Sequence, residues 1–279
     1  MNTSMANGRR RSGLVWYLTG AFSSVLANRS LYVRLVGRDI HVRYKGSILG
    51  LLWTLLNPLS LLVVFSFVFG VVLHAKWGIG GHNFTLVLFS GLVLFTFLAD
   101  CINRSPGVVL ENANYVKKVV FPLELLPAVT LGTATINLGL SLLILAGGEL
   151  WYGHGLPITW VSVPIVLLPL LVLAYGVVLF LSSLGVFIRD LPQVTGILTM
   201  LLMYMGPIIF PLDMVPAQFR ALLWLNPLTF PVTQLRQVTL NGQWPDWLGL
   251  GCYSVVALVV CTSGFWWFWR TRNGFADVV

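Results

Sequence analysis

The chain has 279 residues, of which 57% are hydrophobic and 9% charged, and its formal net charge is +8. Soluble domains carry about 25% charged residues, and no polar stretch here is long enough for a second core, so the composition excludes a soluble enzyme and leaves one integral membrane domain. The basic excess is then a matter of where charge lies relative to the apolar runs, and nucleic acid is not an expected partner.

In chain order, residues 1–28 form a cytoplasmic N-terminal segment. Arg9, Arg10 and Arg11 precede "GLVWYLTGAFSSVLA", which imitates a signal peptide. A signal should lead into a translocated segment, yet a basic run from Arg29 to Lys45 follows. Leu14–Ala27 is therefore expected to be an uncleaved segment at the membrane surface. Residues 29–46 predict an amphipathic interface helix. At about 100° per residue, Arg34, Arg38, His41 and Lys45 share one side, while Tyr32, Val36 and Ile40 share the other. Arg43 falls on the apolar side, where it snorkels or binds something.

Residues 47–270 hold six stretches near the roughly 20 apolar residues that a spanning helix needs. They are 47–74, 84–103, 119–150, 158–188, 192–210 and 248–269, followed by a cytoplasmic tail at 271–279. Pro122, Pro127, Pro164 and Pro169 are expected kink sites in the two long spans. An even number of spans puts both termini on one side. That side carries all 17 Lys and Arg residues except Lys76, Arg220 and Arg236, so the termini are read as cytoplasmic. The stretch after the fifth span mixes Pro, aromatic and polar residues, and is expected to fold back from the outer face as a re-entrant helical segment. The expected fold class is thus all-α. Cys101, Cys252 and Cys261 sit in apolar runs and are read as small buried hydrophobes.

No phosphate-binding loop, metalloprotease helix or nucleophile elbow is present. Asp100 and Glu124 lie near span ends, where a capping or ion-pairing role is expected. With no acid near the middle of a span, a proton-driven mechanism is disfavoured, and the energy source is expected to lie elsewhere. The loop "RSPGVVLENANYVKK" (Arg104–Lys118) reads equally as a docking surface or a solvated connector.

Six segments together resemble the permeases of polysaccharide-export ABC transporters. They are "RDIHVRYKGSILGLLWTLLNPL" (Arg38–Leu59), "ENANYVKKVVFPLELLP" (Glu111–Pro127), "VFIRDLPQV" (Val186–Val194), "MGPIIFP" (Met205–Pro211), "VPAQFRALLWLNPLT" (Val215–Thr229) and "NGFADVV" (Asn273–Val279). The resemblance covers about Leu31 to Val279 and leaves the first 28 residues outside it. It implies a permease subunit in the bacterial inner membrane that exports an O-antigen, capsule or teichoic acid chain. It also implies a homodimer with two copies of a cytoplasmic ATP-binding subunit, with ATP and magnesium on that subunit and no cofactor on this chain. The cargo implied is an undecaprenyl-diphosphate-linked glycan, with membrane lipid as a further partner.

Carried onto this chain, the resemblance makes Arg104, Glu111, Asn114, Lys117 and Lys118 ATPase-coupling residues. It makes Arg38, Arg43 and Lys45 candidates for the lipid-diphosphate entrance. It places spans one and five near the dimer axis, so Phe65, Phe69 and Tyr204 are candidate channel aromatics. Two alternatives stand beside this reading. One is an ABC permease for a drug or other small amphiphile. The other is a membrane glycolipid transferase, which would need an acid or metal cluster that the sequence lacks.

Overall fold

The computed structural model describes residues 14–43, 45, 47, 49–72, 84–117, 121–152, 155–210 and 215–278. These residues are helical or irregular, with no strand among them. Helices α1 (Leu14–Ala27) and α2 (Arg29–Arg43) precede α3 (Trp53–Phe65), which runs on as a π-helix over Ser66–Val72. Then come α4 (Phe84–Arg104), the short helices α5 (Val108–Glu111) and α6 (Ala113–Val116), and α7 (Leu125–Trp151). A 3-10 turn over Ile158–Ser162 leads into α8 (Val163–Phe187), followed by α9 (Leu191–Tyr204). The chain closes with α10 (Ala217–Trp224), α11 (Thr229–Thr239), α12 (Trp247–Thr271) and α13 (Phe275–Val278).

Five described segments are long and apolar enough to cross a membrane: Trp53–Val72, Phe84–Glu111, Leu125–Trp151, Ile158–Phe187 and Trp247–Val278. The stretch expected as a fifth span at 192–210 differs. Its helix α9 has 14 residues, about 21 Å at 1.5 Å per residue, against a hydrocarbon core of about 30 Å. Pro207 cannot continue the helix, and Met205–Phe210 runs as turns and bends. The freed Leu202 carbonyl accepts a hydrogen bond from Asn226 Nδ2 at 2.8 Å, which draws the later segment back onto the end of α9.

The prolines also act differently from expectation. Pro122 precedes α7, and Pro127 sits in its first turn. Pro164 opens α8, and only Pro169 lies inside that helix. First-turn prolines cost no helix hydrogen bond, so they mark starts rather than kinks.

Helices α4 and α8 form the centre. Val87, Leu94 and Cys101 of α4 and Leu170, Ala174 and Val178 of α8 are fully buried. Helix α12 lies along α8 at a crossing where both backbones need glycine. A Cβ at Gly176 would stand 2.5 Å from Cys261 Cα, and one at Gly264 would meet the Gly176 carbonyl oxygen. Small residues that let backbones approach are the usual adhesive between helices in lipid. Asp246 caps α12 by accepting from the Leu248 and Gly249 amides at 3.1 Å each. Cys101 and Cys261 are buried as expected, but Cys252 is exposed on α12.

The terminal elements depart from a simple surface layer. Helix α1 packs on α12 and α7, with Phe22 tilted against Tyr175 at 5.7 Å between ring centroids. The apolar side of α2 is covered by protein. Leu35 and Val36 are buried with Val129 of α7, and Tyr32, Ile40, Tyr115 and Phe121 close the cluster.

Candidate functional site

The end of the bundle that carries α2 holds the densest polar structure. Asp39 of α2 accepts from Arg104 Nη2 at 2.7 Å and from Thr133 Oγ1 of α7 at 2.9 Å. Four residues later, Arg43 donates through Nη2 to Asp100 of α4, at 3.0 Å to Oδ2 and 3.3 Å to Oδ1. Arg104 Nη1 also lies 3.9 Å from Asp100 Oδ2. Two carboxylates and two guanidiniums thereby lash α2 to α4 and α7. Each side chain is about a quarter exposed, where pairing is stronger than at an open surface. The misfit of Arg43 in the helical pattern is resolved by Asp100, which was expected to pair or cap. Glu124 occupies the N-cap position of α7 but makes no capping hydrogen bond.

Beside this network, Arg38 donates to the Tyr115 hydroxyl at 2.5 Å and to Asn112 Oδ1 at 3.4 Å. Its guanidinium lies 5.3 Å from the Tyr115 ring centroid, and Tyr115 stacks on Phe121 at 4.5 Å. Helix α2 is thus tied to the 105–117 loop as well. Between them opens a cavity of about 300 Å³, lined by Arg38, Asp39, Asn103, Arg104, Glu111 and Asn112 among others. A second cavity rises from Arg43 and Asp100 between α3, α4 and α7.

The expected coupling residues divide. Arg104 belongs to the ion network, whereas Glu111, Asn114 and Lys117 are exposed on and beside α5 and α6. Lys118 lies outside the described residues. The expected entrance residues divide as well: Arg43 is engaged by Asp100, Arg38 by Tyr115, and Lys45 is exposed just after α2. Of the channel candidates, Phe65 is half-buried against the main core and Tyr204 is exposed at the end of α9. The Phe69 side chain lies outside the described part of the chain.

Sequence reasoning missed two features. Asp39 was not singled out, although an acid four residues before Arg43 on a basic helix was a visible signal. Arg236, on α11 at the opposite end, was treated only as an outer charge. It is buried, and its guanidinium donates to the carbonyls of Val87 (3.1 Å), Pro207 (2.7 Å) and Ile208 (3.1 Å) and to Ser90 Oγ (3.2 Å). A single charge in a helix otherwise built of apolar and neutral polar residues was itself the clue.

The sequence that builds these apolar spans, the docked basic helix and the short helical loop has relatives of known family. A model of the ABC-2 type transporter family matches residues 30–240. The chain belongs to the ABC-2 type transporter family. An O-antigen export system permease protein RfbA of Klebsiella pneumoniae is 28% identical over 213 residues, 76% of this chain and 81% of the relative. A protein of the same name in Myxococcus xanthus is 28% identical over 255 residues, 90% of this chain and 96% of the relative. The polysialic acid transport protein KpsM of Escherichia coli is 27% identical over 246 residues, covering 85% and 91%. The ABC-2 match opens within α2 and closes just after α11. It therefore contains both the ion network and the Arg236 anchor, and leaves α1 outside.

Proposed function

We propose that this chain is the permease subunit of an ATP-driven exporter that moves a lipid-linked polysaccharide, with O-antigen as the first candidate, across the bacterial inner membrane. The observation that carries this reading is similarity over nearly the full length of both chains to permeases named for O-antigen export and polysialic acid transport. Both cargoes are long hydrophilic polymers, and no relative named for a drug supports the small-amphiphile alternative.

The energy comes from a separate ATP-binding subunit that holds ATP and magnesium, two copies of it per homodimer. Helix α2 and the exposed Glu111, Asn114 and Lys117 form the face offered to that subunit, with the termini in the cytoplasm. In the homodimer, α3 and α9 are the helices left free to face the second copy. No described side chain of α3 is buried, and α9 buries only Leu191, Thr195 and Thr199 along one face. The segment holding α10 and α11 re-enters at the outer face. Arg38 and Lys45 stand beside the route by which an undecaprenyl diphosphate head group would arrive, and arginine's fork of donors suits phosphate.

The test is reconstitution of the chain with its ATP-binding subunit in vesicles. Transfer of carrier-linked glycan into the lumen and glycan-stimulated ATP hydrolysis are expected. A complex that hydrolyses ATP in response to amphiphilic drugs and ignores glycan would reverse the reading.

A further inference from the structure

A cavity of about 170 Å³ opens between three otherwise apolar spans, with polar side chains set into a largely apolar lining. Arg43 and Asp100 stand at its basic end. Asn57 lines it from α3, Thr96 from α4, and Asn137 and Ser141 from α7. Asn137 is 12 residues beyond Leu125, about 18 Å along the helix at 1.5 Å per residue. The cavity therefore leads from the surface toward the middle of a hydrocarbon core about 30 Å thick.

Its chemistry is specific. The Thr96 and Ser141 hydroxyls donate to the Val93 and Asn137 carbonyls at 3.1 and 2.9 Å, so they present oxygen lone pairs to the space. Asn57 is exposed on the open side of the cavity and Asn137 is half-buried, and their carboxamides make no hydrogen bond to the described residues. An amide facing hydrocarbon without a partner is strongly disfavoured, so this space holds water or a ligand that both donates and accepts. Fixed charge is confined to the basic end, where Asp100 compensates Arg43. A diphosphate finds no uncompensated cation along these walls, but a neutral hydroxyl finds donors and acceptors in turn. Phe97 adds an aromatic ring to the lining, suited to the apolar C–H face of a sugar.

We propose that this cavity is a hydroxyl-binding subsite for the sugar chain itself, in which Asn57 and Asn137 engage neutral sugar hydroxyls on the inner half of the path. The assignment rests on the polysaccharide reading above and adds where, and through which groups, the chain is gripped.

The permease with its ATP-binding subunit is reconstituted and ATP hydrolysis is followed with two probes, undecaprenyl diphosphate bearing a neutral glycan and undecaprenyl diphosphate alone. Asn57→Leu combined with Asn137→Leu is expected to cut the glycan-dependent increment about tenfold, the loss of about 1.4 kcal/mol of binding, and to leave the response to carrier alone in place. Asn137→Ser should retain most of the increment. Wild-type glycan response in the double leucine variant would overturn the subsite, as would equal loss with both probes. Asn137→Cys, treated after assembly with methyl methanethiosulfonate, reads the same question without a leucine in the folding step. Labelling should abolish the glycan increment, and bound glycan should protect the thiol. Labelling that leaves the increment intact would overturn the proposal. If the wild-type complex ignores glycan altogether, the export reading fails first and the subsite falls with it.

Discussion

The two ends of the bundle hold arginine in opposite ways. At the basic end, Arg43 and Arg104 pair with Asp100 and Asp39, and each side chain is about a quarter exposed. At the far end, Arg236 is 4% exposed, and its hydrogen bonds go to three backbone carbonyls and a hydroxyl. Carboxylates ride on side chains and can exchange partners, as Arg104 already does in reaching both acids. Carbonyls cannot move without the backbone. The basic end is thus freer to rearrange, as the face proposed above for the ATP-binding subunit would need to be. The far end fixes α11 to α4 and to the break after α9.

Four expectations would break or sharpen that contrast. The largest is at Arg236. Arg236→Leu removes the donors from the Pro207 and Ile208 carbonyls, and we predict a loss of roughly 3 to 5 kcal/mol in unfolding free energy, given about 1–3 kcal/mol for each buried group left unpaired. Arg236→Lys should recover part of it, because an ammonium cannot reproduce the fork. Thermal unfolding in detergent measures both, and a melting temperature unchanged by Arg236→Leu would end the anchor argument.

Next is Gly91→Ala. The new Cβ would stand 2.9 Å from Arg236 Nη2 and 3.2 Å from Ile208 Cα. Overpacking of this kind costs about 1–3 kcal/mol. Combined with Arg236→Leu, the alanine should cost less than it does alone, because one of the atoms it strikes is gone. Strict additivity in the double variant would show that the two residues act apart.

At the basic end the effects should be smaller and salt-dependent. A double-mutant cycle between Arg43→Gln and Asp100→Asn is expected to return a coupling of about 1 kcal/mol, near the upper end for exposed pairs because both groups are partly buried. It should weaken between 0.05 and about 0.5 M salt as screening shortens the electrostatic range. Arg236 variants should show no such dependence. Equal salt sensitivity at the two ends would erase the distinction.

The smallest effect on folding should come with the clearest effect on transport. Glu111→Lys and Lys117→Glu alter exposed side chains and should leave the melting temperature where it is. In the assembled transporter we expect ATP hydrolysis to continue while glycan transfer falls. Normal transfer by the double reversal would remove the 105–117 loop from the coupling face.

Much of this was legible from residues alone. The second span was readable as 84–103 because an unbroken apolar run can only satisfy its backbone as a helix in lipid, and α4 ends one residue later. The short helices α10 and α11 followed from the prolines that interrupt their segment. The shortness of α9 was legible only in part, through the break that "MGPIIFP" marks after Tyr204. The run 192–210 is largely apolar, and what ends the helix is Pro207 together with Asn226, 24 residues from the carbonyl it caps. The site divided in the same way. A basic helix feeding an apolar span was visible, and so was the exposed character of Glu111, Asn114 and Lys117. The bond between Asp39 and Thr133 joins residues 94 positions apart, and no local pattern announces it.

The sequence by itself determined the solvent and the class of this protein and set the expectation for its sidedness. Those depend on composition, on runs of about 20 apolar residues and on where basic residues cluster, and all three are local or summed quantities. The tertiary structure alone decided which charges are partners and which polar groups face one another. It set Arg43 on Asp100, turned an outer charge at Arg236 into a buried anchor, and brought Asn57 and Asn137 to one cavity. Pairing depends on which helix faces meet, and in lipid, where hydrophobicity does not drive helices together, those faces are chosen by close packing and by long-range hydrogen bonds.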